Sequence, residues 1–226
     1  MVTMQIGESI MCFSAGASYT AAVLLSVGGA FILSQVKEKR QRLFAAIPCI
    51  FALQQFFEGI LWTSYGYNWG PVFEGIGTYG FLFFAVSFWP LWLPLSTYIM
   101  ETNKHVKRVL FYFLLLGCFM FVASLLSLIL YGARSEVLSC HIQYFVEFPY
   151  ISNDIGLLLY GLSTIVPVFI STTRYMKLFA VAVLLSLFGS AYFYSGFFIS
   201  TWCFFSAALS ILIFMILHQK KDGKKR

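Results

Sequence analysis

The sequence predicts an all-α fold, a polytopic membrane protein of seven transmembrane helices in a single domain over residues 1–226, with its N-terminus outside and its C-terminus inside. Three observations carry this. First, 60% of the 226 residues are hydrophobic and 11% charged, with a mean hydropathy of +0.82, which is more apolar surface than one soluble core of that size buries. Second, the apolar runs recur at lengths of about 20 residues, enough to cross the hydrocarbon of a bilayer as helix. Third, the Lys and Arg residues fall in short clusters between alternate runs, the mark of membrane topology. The net charge of +6 therefore implies no nucleic-acid partner.

The first span, 14–33, ends at Lys37, Lys39, Arg40 and Arg42, which places the N-terminus outside by the positive-inside rule. No basic residue precedes this run and Glu8 lies before it, so a cleavable signal is not expected. The second span, 43–62, returns outward and ends near Tyr65, Tyr67 and Trp69, rings suited to an interface. The third, 76–100, contains Trp89-Pro90-Leu91-Trp92-Leu93-Pro94, where two prolines each remove a backbone donor and predict a kink or break. The fourth, 109–131, leads to a long outer loop, 132–153. The fifth, 155–171, ends at Arg174 and Lys177. The next run, 178–217, is about 60 Å long as one helix and is therefore divided into spans 178–194 and 197–217, with a turn at Ser195-Gly196. Residues 218–226 form a basic inner tail. In this arrangement every Lys and Arg except Arg134 lies inside. Arg40-Gln-Arg-Leu-Phe-Ala and Arg174-Tyr-Met-Lys-Leu-Phe-Ala open the second and sixth spans, a faint echo compatible with a 3+1+3 arrangement. Shared membrane composition yields such short matches more readily than repetition does.

Within the second span, Gln54, Gln55, Glu58 and Trp62 are related by i+3 and i+4 steps and share one side of a helix. Glu58 lies about 7–8 Å outward of the span's middle. A carboxylate at that depth is costly unless neutralised, hydrated or paired, and no Lys or Arg falls within the spans. The functional expectation is a proton or cation site or a general base; the structural one is a Glu that pins neighbouring helices. His141, Tyr144 and Asp154 in or beside the outer loop, and Trp202 in the last span, lie at the same side of the membrane and complete the set of candidate ligand or ion contacts. His105 and His218 lie at the inner ends, so a three-His zinc site with His141 is disfavoured.

No Cys-x-x-Cys pair is present. Cys12 and Cys140 both fall on the outer side, where a disulfide between them would tie the N-terminus over the bundle. Cys49, Cys118 and Cys203 read as packed thiols.

Met11-Cys12-Phe13-Ser14-Ala15 resembles the opening of an uncharacterised bacterial integral-membrane family, a domain of unknown function. The resemblance extends to Gln55, Glu58 and Trp62, to Trp89-Pro90-Leu91-Trp92-Leu93-Pro94, to His141-Ile142-Gln143-Tyr144 and to Trp202-Cys203-Phe204-Phe205. It covers residues 11 to about 210 and implies a bacterial inner-membrane location, that residues 1–10 are an extension, and that Met11 is a second candidate start. It implies no activity, cofactor or metal. Where members carry a His before His-Ile-x-Tyr, this chain has Cys140.

The function expected from these residues is small-ligand or ion binding in an outward-facing pocket of a transporter or receptor-like protein. The rivals are a membrane-embedded hydrolase or lipid-modifying enzyme using Glu58, His141 and Asp154, and a structural or assembly protein with no such chemistry.

Overall fold

The computed structural model describes residues 14–138, 141–148, 153–193, 197–210 and 212–217, which are mostly helical. Four helices are long and apolar enough to cross a membrane: Ala15–Gln35, Lys39–Tyr67, Pro71–Met100 and Lys104–Leu130. Two shorter apolar helices, Asp154–Ile170 and Met176–Tyr192, come after them. The chain is a helical membrane protein. Cys12, Cys140, the Ser195-Gly196 turn and the basic tail lie outside the described residues.

Helix α1 (Ala15–Gln35) starts at Ser14, whose Oγ accepts from the Ala17 N–H at 3.2 Å. A short 3₁₀ turn and α2 (Arg42–Ala45) lead into α3 (Ile47–Tyr67), which carries Pro48 in its first turn, where its missing N–H costs nothing. The close packing of α1 on α3 needs Gly59, because a Cβ there would lie 2.6 Å from the Tyr19 ring. Asn68 and Gly70, at φ 51° and 89°, reverse the chain, and Pro71 opens α4 (Pro71–Leu82).

The third span stays helical through both prolines, and a π-helical turn directly precedes Pro90. Residues Phe83–Phe88 form a π-helical turn that continues directly into α5 (Trp89–Met100), with the Trp89 N–H bonded to the Phe84 carbonyl. In that i→i−5 register Pro90 should bond Ala85 and has no N–H to do so. The Tyr160 hydroxyl supplies the missing donor, bonding the Ala85 carbonyl at 2.7 Å. Pro94 likewise leaves Pro90 without an α-helical donor, and there α6 (Lys104–Leu130) packs so close that a Cβ on Gly117 would lie 2.2 Å from the Pro90 oxygen.

The remaining helices are α7 (Asn153–Ile170), α8 (Met176–Phe193), α9 (Phe198–Leu209) and α10 (Leu212–Leu217). The run expected as one seventh span, 197–217, is thus divided at Ser210. There 3₁₀-type bonds, Ser210 N–H to Ala207 and Ile213 N–H to Ser210, replace the α ladder at 3.0 Å each.

The fold also departs from all-α. The expected loop contains an antiparallel hairpin, β1 (Ala133–Leu138) and β2 (His141–Val146), registered from Ala133↔Val146 to Leu138↔His141. Several contacts with the bundle hold it. The Ser135 carbonyl accepts a short bond from the Tyr65 hydroxyl and the Ser135 Oγ lies 2.6 Å from Thr78 Oγ1, while Ile142 and Tyr144 of β2 enter a core of Leu61, Phe81, Leu82, Ala85, Leu128 and Cys203. A second core, around Phe44, Phe51, Trp89, Val168, Met176, Phe179 and Ile213, lies towards the opposite end, where Lys37–Arg42, Lys104–Arg108, Arg174 and Lys177 cluster.

At that basic end Glu101, only 3% exposed, caps α5. Its Oε1 accepts from the N–H groups of Thr102 and Asn103, both at 2.8 Å, and from Thr172 Oγ1 at 2.6 Å. Its Oε2 accepts from the Thr172 N–H at 2.8 Å and Ser171 Oγ at 3.0 Å. Burial pushes the carboxyl up, but the bonds from Thr172, Asn103 and Ser171 outweigh it and hold the group below its ordinary 4.5. Because the folded value is the lower one, these bonds contribute in full above pH 4.5 and are lost as pH falls through the folded-state value. Thermal denaturation in detergent should therefore show an acid-side loss of stability below pH 4.5 that Glu101→Gln flattens. An unchanged pH profile in the variant would separate Glu101 from acid sensitivity. At the α5–α6 contact, Gly117→Val should cost about 1–3 kcal/mol by overpacking, read as a lowered melting temperature.

Candidate functional site

The polar stripe of α3 is realised and turned fully inward. Gln54, Gln55 and Glu58 are each 0% exposed, on a helix whose opposite face presents Leu53 and Phe56 to the outside. Inside a bilayer such groups have no water to fall back on and must find partners in the protein or in a ligand.

Their pairing is incomplete. Ser200 of α9 donates a short hydrogen bond to Glu58 Oε1, while Glu58 Oε2 has no protein partner. Trp89, at the end of the π-helical turn, donates its indole N–H to Gln54 Oε1 at 2.7 Å. The Gln54 amide nitrogen faces the Cys203 thiol without a well-formed bond. Gln55 reaches towards Glu58 in the same way, and both ends of its amide are unpaired. Tyr144 of β2 stacks on Phe81 with ring centroids 4.7 Å apart and lies within electrostatic reach of Glu58 and Cys203, its hydroxyl also unpaired. Nearer the hairpin, Trp62 Nε1 and Ser64 Oγ on α3 are buried without partners. Unpaired polar atoms thus run along one face of α3 from Ser64 to Gln54, a rise of about 15 Å.

Beyond Gln54, at the end of this polar row, an apolar cleft begins. It lies between α3, α5, α7, α8 and α9, is partly open to the outside and has a cavity volume of about 40 Å³. Phe51, Trp89, Tyr160 and Trp202 form aromatic walls and Cys203 stands at the polar limit. Trp89 is stacked on Phe51 at 4.1 Å, and Tyr160 meets Trp202 edge-on at 5.5 Å. The cleft lies on the basic-end side of Glu58. The hairpin side, where an opening was expected, is filled by Ile142 and Tyr144.

The other predicted residues divide. Tyr144 and Trp202 join the site, and Trp62 borders it. His141 is buried against the Phe197 ring, centroids 4.6 Å apart, and that burial holds its imidazole below the ordinary value. Asp154 is exposed in the first turn of α7, outside the cluster. Among the described residues no group of three His, Cys, Asp and Glu side chains is suited to hold a metal. Sequence reasoning missed Ser200, Trp89 as the partner of Gln54, and Tyr160. Ser200 carries one legible signal: it lies three residues before Cys203 and so shares its helical face.

Fold and site together define the class: a helical membrane protein with a partner-poor acidic and amide cluster buried beside an aromatic cleft. Within that class the chain belongs to a family of unknown function, DUF6629, whose model matches residues 11–226. No curated protein and no solved structure matches it.

Trp89→Phe should expose the cost of an unpaired buried acceptor at Gln54, about 1–3 kcal/mol. The double variant Trp89→Phe/Gln54→Leu, which also removes the acceptor, should recover most of the loss in melting temperature. Equal stability of the wild type and the single variant would mean that the Trp89–Gln54 bond contributes nothing net.

Proposed function

We propose that this protein binds a small ligand in an intramembrane site centred on Gln54, Gln55 and Glu58, as a transporter or receptor-like protein of a bacterial inner membrane. The observation carrying this reading is the set of buried, partnerless polar atoms beside an aromatic-walled cleft. A static core would satisfy such atoms internally, whereas small-molecule sites combine apolar walls with a few convergent polar groups. In this reading α9 and α10 make up the seventh span. The hairpin then faces outward and the Lys- and Arg-rich ends inward, in keeping with the positive-inside rule.

The exposure of Asp154 against the full burial of Glu58 favours binding over the hydrolase reading, which needs the two carboxyls and His141 to converge. Native mass spectrometry of the protein extracted from its own membrane in mild detergent should reveal a stoichiometric small-molecule adduct. Glu58→Gln and the cleft-filling Val183→Phe should each reduce it. Identical spectra for the wild type and both folded variants would remove the ligand-site reading.

A further inference from the structure

Glu58 is the only fully buried carboxyl among the described residues, and it has one oxygen committed to Ser200 and one unpaired. An ionised carboxylate in hydrocarbon must be matched by a cation or neutralised by a proton. Neither the cleft lining nor the groups acting on Glu58 include a Lys or Arg. The site therefore lacks a positive group of its own, and an anionic head brought to Glu58 would meet repulsion with nothing to offset it.

The surroundings suit a cation that has an organic body. Gln55 lies beside Glu58 with its amide nitrogen towards the carboxyl, which leaves Glu58 Oε2 as the unpaired acceptor. Trp89, Trp202, Tyr160 and Phe51 line the adjoining cleft, and aromatic faces attract alkylammonium groups as well as packing hydrocarbon. An inorganic cation would supply the charge and leave the cleft empty, and the described residues hold no cluster suited to a metal.

We infer that the site takes a lipophilic primary ammonium ion, its head at Glu58 Oε2 and its hydrocarbon tail directed past Cys203 into the cleft towards the basic end. This rests on the ligand-site reading above and specifies the ligand's charge. The binding is non-covalent. The ammonium supplies a donor to the Glu58 oxygen that has none, and its charge matches the buried carboxylate.

The test uses the full chain in nanodiscs at neutral pH, with Trp89 and Trp202 as reporters, since both stand in the cleft wall. Three probes of equal chain length, an ω-brominated alkylamine, alkanol and alkanoate, are titrated and saturable quenching of tryptophan fluorescence is read. The amine should bind more tightly than the alkanol by about tenfold or more, the scale of a charge-assisted hydrogen bond, and the alkanoate should show no saturable quenching. Glu58→Gln should abolish the preference for amine over alkanol while the alkanol still binds. Val183→Phe should weaken both. Equal affinities for all three probes, or an amine preference that survives Glu58→Gln, overturn the ammonium inference and leave the ligand site standing. Absence of saturable quenching by every probe in a folded protein overturns both.

Discussion

The hydrogen bond from Ser200 to Glu58 ties α9 to α3 in mid-bundle, where these two helices touch only briefly. Helix α3 packs extensively on α1 and on α4, as do α5 on α6 and α7, and α8 on α7 and α9. Contact between α3 and α9 is brief, and this bond lies within it. Apolar packing supplies little preference for one partner over another when lipid is as apolar as the side chains, so a polar bond between spans carries orientation as well as energy. It also sets the site, since the cleft is the space that the brief α3–α9 contact leaves between α3, α5 and the last helices.

Two buried glutamates differ in how completely their carboxyls are satisfied. Glu101 has both oxygens occupied by five donors from two loops, which fixes the α5–α6 turn to the α7–α8 turn. Glu58, equally hidden from the outside, has one donor. Backbone N–H groups freed at helix ends were available to satisfy Glu101. Mid-helix, where every N–H is already bonded along the ladder, none is available to Glu58, and only side chains or a ligand can complete its shell. The difference in occupancy comes from position along the helix, not from residue type.

The same dependence on position explains which features are legible in the chain alone. The inward turn of Gln54, Gln55 and Glu58 comes from helical period alone, because a polar stripe cannot face lipid. The helical runs were legible from apolar length. The hairpin was not: Ala133 to Leu138 carries little strand propensity, and its strand is fixed by Tyr65 and Thr78, some sixty to seventy residues away in sequence. The prolines signalled a disturbed helix but not its form, since the accommodation depends on Tyr160 reaching the Ala85 carbonyl from another helix. Asp154 was grouped with Glu58 by depth along the chain. Depth gives no rotation, and the first turn of α7 presents Asp154 outward.

The disturbed third span bears directly on the site. A π-helical turn inserts an extra residue and so rotates the downstream helix relative to the upstream one. Here the residue immediately after the turn is Trp89, which stacks on Phe51, bonds Gln54 and forms a wall of the cleft. Tyr160, which satisfies the carbonyl released by the turn and Pro90, lines the same cleft. The groups that make the irregular backbone tolerable in a dry interior are thus groups that shape the cleft. Trp89 and Tyr160 thereby join the cleft wall, the π-helical turn and Gln54 of α3 by direct contacts.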